Sequence, residues 1–331
     1  MGVRSKYTLG VGPGYAGEVS DGPGQEHPHA GSPGHRHPHS PEDHSGRPRI
    51  GFVGAGRVAT GLGVAFTRAG WPVVAVATRD PERRERFCTL VPTARPVAGA
   101  AGIADEADLI FLTVPDDAIA DVTATLRPYG GQALVHTSGA LASDVLDPAR
   151  AAGTLTGSFH PLVAFADLDA ALAGLPGSAV AVEGDEELVV LLGQLATDLG
   201  AQPVRLPPGG KAAYHAAAVL AAGGFVGLLD AIAEVARGAG VDEAGALAIY
   251  APLVRQCLAA AERLGIAAAL TGPYVRGDVG TVRSPLAALT RLAPGALELY
   301  RAVARRELAL AEGRGDASPG QAAALRSLLD E

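Results

Sequence analysis

The sequence predicts an α/β protein in which a mostly parallel, doubly wound sheet is followed by an all-helical domain. Up to residue 206, short continuous apolar runs alternate with segments of helical periodicity, which is typical of strands covered on both faces of a parallel sheet. After the Pro-Pro-Gly-Gly turn at 207–210, no strand pattern remains and apolar residues recur with helical spacing. The chain of 331 residues is long enough for two such domains.

Seven short apolar runs are predicted to be the strands, because each is followed by a turn or a polar loop. The runs are Ile50–Val53, Val73–Ala77, Leu109–Val114, Ala133–His136, Leu155–Phe159, Ala179–Val182 and Pro203–Leu206. Among the helices between them, one ends at Ala69, where Gly70 supplies a stop, and another covers Glu186–Leu199. Because only 5% of the residues are aromatic, the core is expected to consist of Ala, Val and Leu.

The second half of the chain is predicted to form helices, since its apolar residues recur every three or four positions. The longest helices are expected over Lys211–Gly238 and Asp242–Leu264, and Pro252 is expected to kink the second. Asp278 is expected to cap the helix that follows it. The last two helices are predicted near Gly295–Glu312 and over Ser318–Leu329.

The first 47 residues differ in composition from the rest of the chain. They are rich in Gly, Pro, Ser and His and poor in aliphatic residues, so we expect a disordered tail. The tail contains His27, His29, His35, His37, His39 and His44, which either bind a transition metal weakly or are simply solvated. We therefore predict a tail over 1–47, a sheet domain over 48–207 and a helical domain over 208–331, with no metal site in the two domains.

Charge and composition argue against several classes of protein. The formal net charge is −8 without a basic block, which argues against a nucleic-acid partner. Cys88 and Cys257 lack C-x-x-C spacing, so two reduced thiols are expected. The run 212–229 contains Tyr214, His215 and several glycines and is predicted to be a buried helix, so no membrane association is expected. Since the N-terminus also lacks the apolar core of a signal peptide, a cytoplasmic protein is expected.

A glycine loop follows the first strand at once and opens a helix, as a dinucleotide-binding fingerprint requires. The loop consists of Gly54, Ala55, Gly56, Arg57, Val58 and Ala59. Gly54 permits the tight turn, and Gly56 lets the backbone approach a pyrophosphate. The helix N-terminus offers unpaired N–H groups to the phosphates. This context predicts a Rossmann-type dinucleotide site, with an ordinary glycine-rich turn as the alternative.

The residues that follow the second strand indicate whether the cofactor is NAD or NADP. Proteins that bind NAD usually place Asp or Glu there for the ribose hydroxyls, whereas this chain has Thr78 and Arg79. Arg79 suits a 2′-phosphate, Thr78 can add a hydrogen bond, and Arg57 can add positive charge. NADP is therefore the expected cofactor. The alternative is that Arg79 is a surface partner of Asp80 or Glu82.

Two further loops follow later strands and are expected to flank the nicotinamide half of the cofactor. The first loop is 114–117, with Val114, Pro115 and Asp116 as candidates, and the second is Thr137-Ser138-Gly139, with Ser138 and Gly139 as candidates. In an open parallel sheet, ligands bind outside the carboxyl ends of the strands. These five residues are therefore added to the predicted cofactor site.

Lys211 and His215 are the candidate catalytic residues. They are four positions apart on one predicted helix, so they share a face that is otherwise almost entirely apolar. Delivery of a hydride to a ketone leaves an alkoxide, and a nearby Lys or His can supply the proton that it needs. The alternative is structural: Lys211 caps the domain linker and His215 is a satisfied buried histidine.

Four residues are candidates for substrate binding. His160 follows a strand at the sheet edge of the cofactor loops, where it either orients a carboxylate or carbonyl or fixes the turn with Pro161. Thr271, Arg276 and Asp278 form a polar island in the helical half. Arg276 either pairs with a substrate carboxylate or pairs with Asp278 and holds the loop.

Six segments, in this order, together resemble the bacterial proteins that combine a Rossmann-like domain with the domain DUF2520. They are G-F-V-G-A-G-R-V-A, L-T-V-P-D-D, H-T-S-G-A, S-F-H-P-L, K-A-A-Y-H-A-A-A-V and L-T-G-P-Y-V-R-G-D. The resemblance covers about residues 49–330. More distantly, the layout is similar to pyrroline-5-carboxylate reductase, ketopantoate reductase, the F420-dependent NADP reductases and prephenate dehydrogenase.

The resemblance implies an NADP-binding domain followed by a helical domain that often forms dimers, so a homodimer through the helices is expected. Ketopantoate reductases carry a catalytic Lys at the start of the first long helix of the second domain, followed by polar residues one and two turns on. Lys211 and His215 match that layout, whereas Val219 does not. The chain also has Gly223 where relatives often have Asn, and Pro285 where they often have His.

Together these observations give the hypothesis of an NADPH-dependent reductase of a small carboxylated oxo compound. The family's association with pantothenate synthesis genes favours 2-dehydropantoate (ketopantoate) as the substrate. One alternative is an imine reductase of the pyrroline-5-carboxylate type. Another, from a different class, is a non-catalytic NADP-binding sensor or scaffold.

Overall fold

The computed structural model describes residues 46–331. The tail predicted over 1–47, with its six histidines, therefore lies outside the described residues except for its last two positions. Eight strands form one sheet: β1 (Ile50–Val53), β2 (Val73–Ala77), β3 (Arg95–Pro96), β4 (Leu109–Leu112), β5 (Ala133–His136), β6 (Leu155–Pro161), β7 (Ala179–Gly184) and β8 (Gln202–Arg205).

The sheet has the order β3-β2-β1-β4-β5-β6-β7-β8, and every neighbouring pair is parallel except β6 and β7. The chain leaves β1 in one direction to reach β3 and then returns to the other side of β1 as β4. The prediction of a mostly parallel, doubly wound sheet is confirmed. The change of winding direction creates a crevice beyond the carboxyl ends of β1 and β4.

Helices accompany the strands and then form the whole second half. The first set is α1 (Arg57–Arg68), α2 (Pro81–Leu90), α3 (Ile119–Thr125), α4 (Asp147–Arg150), α5 (Leu168–Gly174) and α6 (Glu186–Asp198). The second set is α7 (Lys211–Val219), α8 (Phe225–Arg237), α9 (Glu243–Leu264), α10 (Ile266–Ala269), α11 (Pro273–Arg276), α12 (Val279–Leu292), α13 (Pro294–Arg314) and α14 (Pro319–Asp330). The predicted all-helical second half is confirmed.

Four strands differ in their bounds from the prediction: β7 continues to Gly184 instead of ending at Val182, β8 covers Gln202–Arg205 instead of Pro203–Leu206, and β4 and β6 end elsewhere than predicted. β4 ends at Leu112 instead of Val114, because Thr113 turns back and its hydroxyl donates to the carbonyl oxygens of Val53 and Gly54. β6 continues two residues past Phe159, because β7 lies antiparallel beside it and pairs with its last residues. The two-residue strand β3 was not predicted at all.

The helix predicted over Lys211–Gly238 is interrupted. A π-helical turn at Leu220–Gly224 separates α7 from α8. Gly223 and Gly224 stand side by side in this turn, and adjacent glycines weaken the helical ladder that would otherwise continue.

The centre of the sheet half is aromatic, contrary to the expectation of a core made only of Ala, Val and Leu. Phe52, Phe66, Phe87, Phe111 and Phe159 are fully buried. Their rings contact one another, with centroids 5.3–6.3 Å apart. Although few in number, the phenylalanines are concentrated at the point where α1, α2 and the central strands meet.

The helical half packs differently. Helices α11 to α14 share a small buried cluster that includes Val282, Leu308 and Leu325. By contrast, Lys211–Arg237 and Glu243–Leu264 are apolar and long enough to span a membrane by length and composition alone, yet only 6% of each apolar stretch is buried. The prediction of a buried helix over 212–229 is therefore wrong for the single chain, because no neighbouring element of residues 46–331 covers most of this surface.

Candidate functional site

The glycine loop has the geometry that the fingerprint requires. Gly54 has a φ of +100°, and a Cβ there would lie 2.5 Å from the carbonyl oxygen of Thr113, so only glycine fits. Gly56 is the N-cap of α1, and a Cβ on it would meet nothing within 4 Å. The backbone at Gly56 is thus open to a ligand, and the first N–H groups of α1 face the same space.

A cleft of about 580 Å³ lies in front of this loop. Six of the predicted site residues line it: Gly56, Arg57, Val58, Val114, Pro115 and His160. The cleft also contains Thr137, from the second predicted nicotinamide loop, and six residues outside the predicted site, namely Arg83, Thr113, Pro161, Val163, Phe165 and Ala166. The glycine loop and His160 therefore share one crevice, at the carboxyl edge of the parallel strands.

A second cavity of about 400 Å³ adjoins the first and is positively charged. Ala55, predicted as part of the loop, lines it together with Arg57, Arg83 and Arg86. The guanidinium Nε of Arg83 lies 3.0 Å from Asp80 Oδ2. Arg83 and Arg86 are missing from the sequence predictions, although their i, i+3 spacing places them on one face of α2.

Thr78 and Arg79 lie between β2 and α2, the helix that carries Arg83 and Arg86. Neither of the two residues lines a cavity. The Asp80 side chain accepts from two backbone N–H groups as the N-cap of α2 and also pairs with Arg83. Arg79 is exposed, and within residues 46–331 its side chain has no hydrogen bond or ion pair. The predicted alternative, a surface pair with Asp80 or Glu82, is therefore not observed.

The two predicted nicotinamide loops are connected by a hydrogen bond. Ser138 Oγ donates to Asp116 Oδ2 over 2.8 Å and accepts from the backbone N–H groups of Ala140 and Leu141. The hydrogen bond between Asp116 and Ser138 thus joins the two loops at the edge of the cleft. Neither residue lines the cleft itself.

Helix α7 meets strand β6 through alternating side chains. Ser158 and His160 point to the same side of the strand, and Lys211 and Tyr214 lie one turn apart on the helix. Lys211 Nζ lies 2.5 Å from Ser158 Oγ, and Tyr214 Oη lies 3.2 Å from His160 Nδ1. These two contacts join the start of the helical half to the sheet.

Lys211 is buried, with 4% of its surface exposed, and does not line either cavity. Glu183 Oε2, on β7, lies 3.8 Å from its ammonium nitrogen, and Glu183 Oε1 accepts from Ser143. Burial lowers the pKa of Lys211, while the nearby carboxylate of Glu183 opposes that shift. The surroundings resemble a buried, hydrogen-bonded ion pair more than a group presented to a substrate.

Two imidazole side chains and one glycine lie close together at the cleft. The His160 and His215 rings have centroids 6.0 Å apart, and His215 Nδ1 is buried without a hydrogen-bond partner among the described residues. A Cβ on Gly139 would lie 2.4 Å from His215 Nδ1 and 2.7 Å from His160 Nε2. Because Gly139 has no side chain, both imidazole rings can lie against the loop at this position.

Burial, reinforced by the positive charge of Lys211, lowers the pKa of His160 to about 4. Burial raises the pKa of Tyr214 to about 12. At neutral pH the imidazole is therefore neutral and the phenol is protonated, so both can exchange hydrogen bonds without carrying charge. Tyr214 was not selected from the sequence, although it lies one turn after Lys211.

The polar island of the helical half is not part of this cleft. Asp278 caps α12 by accepting from the N–H of Thr281, as predicted. Arg276 is exposed, and its carbonyl oxygen accepts from Gln321. Thr271, Arg276 and Asp278 line neither cavity.

The fold and the glycine loop define a Rossmann-like architecture extended by a helical half, and the family models agree with this assignment. Residues 36–161 match the model of the Rossmann-like domain. Residues 178–307 match the domain of unknown function DUF2520. The chain therefore has the Rossmann-like plus DUF2520 combination that its motifs predict. A search of curated protein sequences returns no match.

Solved structures share the fold over nearly their whole length. Protein BF3122 from Bacteroides fragilis is 22% identical, with a TM-score of 0.66 over 79% of this chain and 98% of the other. A reductive aminase from Aspergillus terreus in complex with NADPH and ethyl levulinate is 18% identical, with a TM-score of 0.64 over 86% and 99%. 1-Pyrroline-5-carboxylate reductase from Streptococcus pyogenes is 17% identical, with a TM-score of 0.56 over 86% and 100%.

Proposed function

We propose that the chain is an NADPH-dependent reductase of a small carboxylated oxo compound. The observation that carries this proposal is the single cleft in which the glycine loop at Gly56 faces His160, with His215 directly behind. Such a cleft brings a dinucleotide site and imidazole groups that can exchange a proton together, as reduction of a carbonyl requires. The reductive aminase with similar architecture binds NADPH, which supports the choice of cofactor.

The residues present fit a dinucleotide phosphate. The open backbone at Gly56 would admit the pyrophosphate, and the helix N-terminus would stabilise its charge. Arg57, Arg79 and Arg83 would hold a 2′-phosphate, since guanidinium groups bind phosphate through paired N–H donors. NADPH, when bound, supplies a hydride.

We assign the proton-donating role to His215 and the orientation of the substrate to His160. His160 lines the cleft, and the His215 ring lies next to it, with its Nδ1 free of any hydrogen-bond partner among the described residues, whereas the Lys211 ammonium contacts Ser158 and Glu183. Of the two catalytic residues predicted from the sequence, Lys211 is thus better suited to fixing the position of α7. Ketopantoate remains the named substrate prediction.

A second candidate is the reduction of an imine. Two proteins with similar architecture are a reductive aminase and a pyrroline-5-carboxylate reductase, which favours substrates with a carbon–nitrogen double bond. A protonated imine needs no further proton after the hydride arrives. The two candidates therefore differ in whether loss of His215 abolishes turnover.

The deciding experiment follows NADPH consumption by the full chain with ketopantoate, other 2-oxo acids and cyclic imines. Turnover of an oxo acid that falls at least tenfold in His215→Asn, with NADPH binding retained, supports the oxo-compound reductase. Turnover of an imine that survives His215→Asn supports the imine reductase. Tight NADPH binding without turnover of any compound favours a sensor or scaffold.

The cofactor assignment has its own test. Arg79→Ala and Arg83→Ala are each expected to weaken NADPH binding by about 1.5–3 kcal/mol, the scale of a charged hydrogen bond, and to leave NADH binding unchanged. Arg84→Ala, on the same helix but outside the arginine-lined cavity, is the matched control. Equal losses for both cofactors would contradict the 2′-phosphate assignment.

We also propose that a second copy of the chain covers the apolar surface of α7, α8 and α9. Exposed side chains on this surface include Leu220, Val226, Ile249, Leu253 and Leu258. Monomers rarely leave so large a continuous apolar surface in water, and a helical half of this kind supports a homodimer. Such a dimer suits a soluble, cytoplasmic enzyme that acts on a small molecule, with no membrane or nucleic-acid partner.

A further inference from the structure

The contact between Tyr214 and His160 determines which nitrogen of the histidine carries a proton. Tyr214 Oη lies 3.2 Å from Nδ1, and the two rings meet edge to face with centroids 5.6 Å apart. The other nitrogen, Nε2, lies next to Gly139, 2.7 Å from the position that a Cβ there would take, and the His160 side chain lines the cleft. The hydrogen bond at Nδ1 therefore determines whether Nε2 of a cleft-lining ring is a donor or an acceptor.

We propose that Tyr214 is a positioning residue, whose hydroxyl donates to Nδ1 of His160 and holds the imidazole as the tautomer with its proton on Nε2. The catalytic meaning of this inference rests on the proposed function, whereas the tautomer itself does not. A neutral imidazole has one donor nitrogen and one acceptor nitrogen, so occupying Nδ1 as an acceptor leaves Nε2 as the donor.

The direction of the hydrogen bond follows from the two groups. A phenol O–H is a more acidic donor than the N–H of a neutral imidazole, and the unprotonated imidazole nitrogen is a more basic acceptor than a phenol oxygen. Burial keeps both groups uncharged at neutral pH, because it raises the pKa of Tyr214 and lowers that of His160. The O–H to N arrangement is thus preferred over the reverse.

The consequence is a neutral N–H donor on a ring that lines the cleft. Such a donor suits a carbonyl or carboxylate oxygen, which has lone pairs to accept it. A protonated imine nitrogen has no free lone pair and gains nothing from this donor. Tyr214 therefore selects for oxygen acceptors at this position through His160.

Nitrogen-15 NMR of the ligand-free full chain tests the proposal. His160→Asn identifies the His160 signals, and we expect the wild-type spectrum to show Nε2 protonated and Nδ1 unprotonated near neutral pH. In Tyr214→Phe, which keeps the ring but removes the hydroxyl, we expect a mixture of both tautomers. Tyr250→Phe, on exposed α9, is the control and should leave the His160 signals unchanged. A proton on Nδ1 in the wild type, or unchanged signals in Tyr214→Phe, would overturn the proposal.

Kinetics separate this inference from the proposed function. For an oxo acid that the chain reduces, Tyr214→Phe should raise KM about fivefold, the loss expected for one hydrogen bond, and leave NADPH affinity unchanged. Equal KM values for Tyr214→Phe and wild type would contradict a positioning role. If no compound is reduced, the reductase proposal fails, while the NMR result still decides the tautomer.

Discussion

The sheet half (50–205) and the helical half (211–330) stabilise themselves in different ways. The sheet half buries most of its large apolar side chains, with five phenylalanines in contact at its centre. The helical half exposes most of two long apolar segments and buries only small clusters, of which the largest lies between α11 and α14. The difference indicates that the sheet half is complete as a monomer, whereas the helical half has a surface suited to another chain.

The largest expected effect compares one large apolar residue from each half. Phe111→Ala should reduce the free energy of unfolding by about 3–5 kcal/mol, because it leaves a cavity among rings that cannot collapse into it. Leu253→Ala, on exposed α9, should change the unfolding of the dilute monomer by less than about 0.5 kcal/mol.

Denaturant unfolding at low protein concentration measures both changes, and sedimentation shows whether Leu253→Ala weakens self-association. An equal loss for the two variants at every concentration would contradict the comparison, because the helical half would then have a complete core of its own.

The contact between the two halves is the next test. Lys211→Met should destabilise the chain by about 2 kcal/mol, because it leaves the partly buried carboxylate of Glu183 without its cationic partner and with Ser143 as its remaining donor. Lys211→Met combined with Glu183→Gln should recover most of that loss, as no unpaired charge then remains. Denaturant unfolding of both variants checks this, and Arg205→Ala, from an exposed pair with Glu186, is the control that should show no change. A double variant no more stable than Lys211→Met would show that the charges do not act as a pair.

Acid should weaken the sheet half through its buried histidine. Burial lowers the pKa of His136 from 6.5 to about 4, so the folded state binds fewer protons than the unfolded state between these values. The stability that the neutral ring contributes is complete above pH 6.5 and is lost as the pH falls through about 4, a change of about 3 kcal/mol.

Unfolding free energies of the wild type and His136→Gln at several pH values between 7 and 4 measure this effect. The variant should show a smaller decrease, and identical pH profiles would exclude His136 as the source.

The smallest expected effect concerns a helix end in the helical half. Ser318 and Gln321 form a capping box at the start of α14, so Ser318→Ala should cost about 1 kcal/mol. Ser327→Ala, in the exposed interior of the same helix, should cost nothing measurable. Thermal unfolding compares the two variants, and equal melting temperatures would show that α14 does not depend on its cap.

The amino-acid sequence by itself determined the features that depend on neighbours along the chain. The apolar runs, the helical periodicity and the glycine motif predicted a mostly parallel sheet, a helical half and the loop after the first strand, and Asp278 was correctly expected to cap a helix. These predictions succeed because strand patterns, caps and tight turns are set by local sterics and local hydrogen bonds. The motif at Gly54 and Gly56 was predictable for the same reason, because it consists of consecutive residues in one turn.

Only the tertiary structure decided which distant residues meet and which surfaces remain open. Lys211 and His215 share a helix face, yet their contacts differ. Lys211 donates a hydrogen bond to Ser158 on a strand, whereas His215 lies against Gly139 in a loop. Tyr214 gained its importance from His160, 54 positions earlier in the chain. The burial of a helix likewise depends on what packs against it, so the apolar run at 212–229 could not reveal that it lies exposed. Pairing and burial are properties of the packed chain, and no local pattern contains them.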